Sequence, residues 1–215
     1  LRGHGESDPG APYTIDAFAD DVAWLARALD LRAPGVIGHS MGAMIAVEAA
    51  ATHPEVFVAA VSLDGPVVAD PMLAQGVAMQ LAIFDGPERE AQGPGFLRAA
   101  LWGPYDDHDR ATTIIESMMQ VPKDVALPSL AEVITWPERR RLLECEQPVL
   151  CLHINGGGPT DPTALAVGHT NVVVGQTVGA GHFIQLEVPD QVHAMIERFL
   201  ATTGVQGPAT QTARR

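Results

Sequence analysis

Cysteine is almost absent: Cys145 and Cys151 are the only two in 215 residues. Two thiols build no disulfide framework, and Cys151, set in an apolar strand-like run, reads as a small core residue. Basic residues are scarce, with 13 Lys and Arg against 26 Asp and Glu and a formal net charge of −13. A surface of that sign repels phosphate backbones and anionic headgroups, so nucleic acid and membrane surfaces are not expected partners. No apolar run approaches the roughly 18 residues of a membrane span. No His, Cys and carboxylate cluster has metal-ligand spacing, so no metal is expected. The Gly-rich run at 155–158 follows a strand pattern but lacks the Lys and long helix of a phosphate loop, so no nucleotide cofactor is implied either. No secretory pattern opens the chain, which makes the cytoplasm the expected compartment. The first residue is Leu1, not Met, and this leaves open what precedes it.

Apolar residues make up 47% and charged residues 18%, a globular composition in a chain long enough for one substantial core. After a Gly/Pro-rich opening, 13–31 reads as an amphipathic helix capped by Thr14 or Asp16, with Ile15, Phe18, Val22, Leu25 and Leu29 at helical spacing. A short strand follows at 35–38, then an Ala-rich helix at 41–52 that ends before Pro54. Apolar strands are expected at 56–63, 148–154 and 171–178, and an amphipathic helix at 189–201. Between the second and third strands, 67–147 shows helical patterns at 71–84, 96–101, 110–119, 129–134 and 137–145. Gly86-Pro87, Gly93-Pro94-Gly95 and Gly103-Pro104 punctuate them. Strands alternating with helices predict a mostly parallel α/β sheet. A helical insertion at that point covers the carboxyl ends of the strands, where such sheets keep their sites. The expected organisation is a core of 1–66 and 148–201, a helical cap of 67–147 and a disordered tail of 202–215.

One stretch organises the chemistry. Gly38-His39-Ser40-Met41-Gly42 reads G-x-S-x-G, with an apolar strand before it and a helix after it. Such a strand-to-helix turn lifts the serine out of the sheet to where a base can reach it. The flanking glycines are expected because a Cβ would clash in the turn. The backbone N–H of Met41, opening the helix, can face a developing oxyanion. A serine hydroxyl is a poor nucleophile until a general base takes its proton. His182, in the Gly-Ala-Gly-His loop after the last strand, is the candidate base.

These features together resemble the α/β-hydrolase family. The resemblance runs from Leu1 to about Thr202. It rests on LRGHGESD at 1–8, the turn at Ser40, THPEV at 52–56 leading to a strand that ends in Asp64, and GAGHF at 179–183. It implies an α/β-hydrolase fold with a helical cap, and the chain order serine, acid, histidine. The acid accepts a hydrogen bond from the imidazole and fixes its tautomer. Most of the family carries it after the strand that here ends at Ile154, which points to Asp161. Thr160-Asp161-Pro162 also reads as a helix start. Some branches place the acid where Asp64 stands, and the sequence leaves both open. His39, Trp102, Met118 and Trp136 are candidate substrate contacts, although Met and aromatic residues of the insertion more commonly pack within it. His4, His53 and His153 read as structural.

The family also has strands ahead of the Arg-Gly-His-Gly loop, and one of the early loops there carries a His-Gly pattern whose backbone N–H is the second oxyanion donor. Against that pattern, the part of the sheet ahead of Leu1 is expected to be missing from this chain. Losing one such donor costs about 2.7–4 kcal/mol of transition-state stabilisation. A chain extended at its N-terminus is therefore expected to be more soluble and more active. The expected activity is a serine hydrolase of the carboxylic-ester type, acting on a small ester, thioester or lactone through an acyl-enzyme. Cofactor-free perhydrolases (haloperoxidases) and C–C bond hydrolases share the fold, and a catalytically impaired fragment or binding module is the alternative of another class. Homo-oligomerisation is left open.

Overall fold

The computed structural model describes residues 1–139, 141–155 and 167–204. Among the described residues four strands form one parallel sheet in the order β1-β2-β3-β4: β1 Gly35–His39, β2 Ala59–Leu63, β3 Val149–Ile154 and β4 Val172–Thr177. All four occur where the apolar runs predict them. The register pairs His39 with Leu63, Leu63 with Leu152, and Leu152 with Gly175. Parallel pairing brings every carboxyl end to the same edge of the sheet. The segments after β1, β2 and β4 therefore meet there.

The helices are α1 Ile15–Ala28, α2 Met41–Thr52, α3 Pro71–Asp85, α4 Arg89–Leu101, α5 His108–Met119, α6 Lys123–Thr135, α7 Arg141–Glu144, α8 Ile184–Glu187 and α9 Pro189–Thr203. None of the described helices is long and apolar enough to cross a membrane. α2 is buried along its whole middle, Ala43 to Ala50, because it lies between the sheet and α1. Small side chains permit that approach: Ala19, Ala23 and Ala26 of α1 share a core cluster with Ala43, Val47 and Ala50 of α2. This corrects the expected face of α1. Ile15 and Phe18 are fully buried, but Leu25 and Leu29 are 49% and 61% exposed. The alanines turn inward, and the leucines of the second half face out.

The sheet alternates between two cores. Val149 and Cys151 face the α1–α2 side, while Ala59, Val61, Leu63, Leu150 and Leu152 pack against Ile184, Val192 and Phe199 of α8 and α9. β2 is buried at every residue, whereas β1 lies at the sheet edge and leaves Ile37 55% exposed. The inserted helices hold a small core of their own, with Phe84, Leu97 and Ile115 at its centre. Gly93-Pro94-Gly95 does not interrupt a helix as expected, for α4 runs through it. Gly93 packs so closely under Met119 that a Cβ would sit 3.0 Å from the Met119 methyl carbon. α9 extends to Thr203, two residues past its expected end.

Candidate active site

Ser40 links β1 to α2 with φ 56° and ψ −121°, a left-handed conformation that a non-glycine residue rarely adopts. Such strain costs on the order of 1–3 kcal/mol and persists only where the surroundings enforce it. Here two backbone bonds do so: the Ser40 N–H donates to Leu63 O at 3.0 Å, and Ala43 N–H donates to Ser40 O at 2.9 Å. Ser40 occupies the N-cap position of α2, yet its hydroxyl makes no capping bond. That leaves the hydroxyl free for chemistry and the Met41 N–H at the positive end of the helix. The two glycines of the turn are not equivalent. A Cβ on Gly38 would lie 1.8 Å from Gly42 O, whereas a Cβ on Gly42 would meet nothing within 4 Å. Steric exclusion therefore explains Gly38 but not Gly42. Gly65 supplies the other close approach, since its Cβ would lie 2.1 Å from the Ala43 Cβ and 3.1 Å from Ser40 O.

Asp64 follows β2, is 1% exposed and also has a positive φ, 46°. Its Oδ1 accepts Ile154 N–H at 3.2 Å. Its Oδ2 lies 2.7 Å from His182 Nδ1. A carboxylate there fixes the proton on Nδ1 and turns the Nε2 lone pair outward. Asp161, the other acid considered from the sequence, lies outside the described residues. Among the described residues no hydrogen bond joins Ser40 Oγ to His182, and such bonds often tighten only when substrate binds.

His39 ties the two histidine-bearing segments together. Its Nε2 lies 2.9 Å from His182 O, so Nε2 carries the proton and donates it. Its ring lies 4.5 Å from that of His182 and 4.9 Å from that of Phe183. Burial, with the adjacent His182 adding to it, pushes the His39 pKa down to about 4, so the ring is neutral at pH 7. Trp102, at the end of α4, stacks on Phe183 with ring centroids 4.6 Å apart. Of the other candidate contacts, Met118 packs into the cluster of the inserted helices. Trp136 is fully buried and donates its Nε1–H to Glu48 Oε2 at 2.7 Å, so it serves the α2–α6 packing and is not brought to the site.

Two buried carboxylates escaped sequence reasoning. Glu48, inside the Ala-rich α2, accepts from Trp136 and from Arg141 Nε at 3.1 Å; burial raises its pKa above the usual carboxylate range. Asp106 accepts backbone N–H groups of Gly103 and Gly181 beside the His182 loop. Neither stands in a motif, and only the fold brings their partners near. The structural readings of the remaining histidines agree with their surroundings. His4 Nδ1 lies 3.0 Å from Arg2 O, His53 caps α2 and reaches Asp20, and His153 is fully buried. Among the described residues no group of three or more His, Cys, Asp or Glu side chains could hold a metal ion.

A parallel sheet with a strained serine turn after β1, an aspartate after β2 and a histidine after β4 is the architecture of an α/β hydrolase. A sequence profile of the alpha/beta hydrolase fold matches residues 1–189, and the chain belongs to that family. It is 30% identical over 149 residues to lipase LipV of Mycobacterium tuberculosis, an alignment that covers 66% of this chain and 55% of the lipase. The chain thus spans about half the length of that relative. The fold superimposes on an esterase from Thermogutta terrifontis with TM-score 0.75 at 23% identity, over 94% of this chain and 78% of the esterase. An enol-lactonase from Burkholderia xenovorans gives TM-score 0.77 at 19% identity, covering 93% and 78% of the two chains. Its relatives thus include a lipase and, by fold, an esterase and a lactonase, and the chain shares the α/β-hydrolase fold with them.

Proposed function

We propose that the protein hydrolyses a small carboxylic ester, thioester or lactone through an acyl-enzyme on Ser40. The observation that carries this reading is the 2.7 Å contact between His182 Nδ1 and Asp64 Oδ2 at the sheet edge that also bears Ser40. In this reading His182 Nε2 takes the Ser40 hydroxyl proton as Oγ attacks the carbonyl carbon. Asp64 stabilises the imidazolium that forms, and the Met41 N–H donates to the oxyanion. Collapse of the tetrahedral intermediate expels the leaving group, which takes the proton from His182. Water then repeats the sequence on the acyl-enzyme. Asp64 is the acid in this scheme, in place of Asp161. The inserted helices would cover the site and select the substrate.

A fluorophosphonate probe tests the nucleophile directly, because it reacts only with an activated serine. The native protein is expected to be labelled at Ser40, and Ser40→Ala is expected to lose labelling together with about 10^4-fold or more of kcat on p-nitrophenyl acetate. Folded protein that resists the probe would sink the proposal. Perhydrolysis has separate support, since 42 residues of the chain are 55% identical to a non-heme chloroperoxidase of Streptomyces lividans. There hydrogen peroxide would replace water on the acyl-enzyme and release a peracid, measurable in acetate and peroxide.

A further inference from the structure

The loop that carries His182 is held from outside the sheet. Both backbone N–H groups at its turn, those of Gly181 and His182, are taken by the segment 101–106 that joins α4 to α5. His182 N–H donates to Leu101 O at 3.0 Å. Gly181 N–H donates to Asp106, 2.9 Å from Oδ1 and 3.2 Å from Oδ2. Asp106 Oδ2 also accepts Gly103 N–H at 2.8 Å, which closes the segment on itself. The carboxylate is 5% exposed. The fit leaves no room at position 181, where a Cβ would lie 2.3 Å from Asp106 Oδ2 and 2.6 Å from Gly103 N. A second clasp lies one turn further on. Arg110 Nη1 donates to Leu186 O at 2.8 Å and Glu187 Oε1 at 3.1 Å, and Asp107 N–H donates to Glu187 Oε2 at 3.2 Å.

We propose that Asp106 is a positioning residue for the His182 loop, acting through the Gly181 amide; this rests on His182 being the base of the reaction above. A buried carboxylate bound by backbone N–H groups makes a strong, directional anchor. It sits in the segment that joins two of the inserted helices, so the set of the imidazole and the shape of the substrate cover are tied to one segment. Displacing a catalytic group by about 1 Å costs up to about 100-fold in rate. The side chain of Asn has the same shape but replaces one acceptor oxygen with a donor that faces an N–H.

Asp106→Asn is therefore expected to lower kcat by about 10- to 100-fold with KM within about threefold. The readout specific to positioning is the low-field proton resonance of His182 Nδ1–H in its bond to Asp64. It is expected to shift upfield or disappear in folded Asp106→Asn. A resonance that keeps its position and intensity in the folded variant overturns the proposal, whatever happens to kcat. Should the variant not fold, hydrogen exchange on the native protein decides: a Gly181 amide as protected as those of β3 supports the anchor, and a fast-exchanging one overturns it. Both measurements are made without substrate. A protein that hydrolyses no ester would sink the hydrolase reading and leave this test standing.

Discussion

Ser40 and His182 reach the same edge of the sheet by different routes. The turn at Ser40 is specified almost wholly by its neighbours. Gly38 makes room for the backbone of Gly42, α2 begins at Met41, and the end of β2 completes it, through the Ser40 N–H bond to Leu63 O and the close approach of Gly65 to Ala43. The His182 loop has little local support. Leu101, Asp106 and His39 hold its backbone, and Asp64 meets its imidazole. A site can thus carry a locally encoded nucleophile and a base whose placement depends on contacts that span 75 to 143 positions of the chain, those of Asp106 and His39. Changes near the first should be felt as strain and stability. Changes near the second should be felt as rate.

The sharpest test of the rate half is the acid. Asp64→Asn keeps the shape at the end of β2 but removes the charge that faces His182 Nδ1. A change of that kind, which favours the wrong tautomer, is expected to lower kcat by roughly 10^4-fold. Asp161→Asn, assayed beside it, is expected to stay within about threefold of the native rate. The reverse ranking would move the acid to the loop after β3 and break the proposed arrangement.

The stability half is tested at the two glycines of the turn. Gly38→Ala forces a Cβ against the backbone carbonyl of Gly42, where no side chain can swing aside. The loss is expected to be about 3 kcal/mol or more in urea unfolding, or failure to fold. Gly42→Ala meets open space inside the first turn of a helix and is expected to be neutral or stabilising by up to about 1 kcal/mol. Equal losses at the two positions would mean that the turn is not built on the close approach at Gly38.

The same contrast explains what could be read from the chain. The strands, α2 and the serine turn are periodic or local patterns, and a sequence carries those openly. The inward face of α1 is not legible from hydrophobicity, which ranks Leu25 and Leu29 above Ala19, Ala23 and Ala26, while a close helix pair selects for small size. Pro94 reads as a break because its missing N–H argues against a helix interior, yet α4 runs through it, with Gly93 packed close under Met119. Asp64 and Asp161 could not be separated at sequence level, since the choice depends on which carboxylate meets an imidazole more than 100 residues from Asp64, at position 182. Asp106 and Glu48 were invisible for the same reason. A lone acidic residue reads as solvated surface until the fold buries it.

His39 stands between the two regions and gives the smallest of these effects, one visible only in acid. Its native pKa is about 4, against an ordinary value of 6.5. The unfolded chain therefore binds a proton between those values that the native state refuses. Stability contributed by this residue is fully present above pH 6.5, falls as the pH drops and levels off below about 4. At pH 5 the expected loss relative to pH 7 is about 2 kcal/mol from His39. His39→Gln retains an amide N–H that can donate to His182 O and has nothing to protonate. Its urea midpoint should therefore fall less between pH 7 and pH 5 than that of the native protein. Some acid loss will remain, because burial also lowers the pKa of His153. If both proteins lose stability in parallel, His39 is not the group responsible. The link it makes between the serine turn and the His182 loop would then be a contact without a protonation cost.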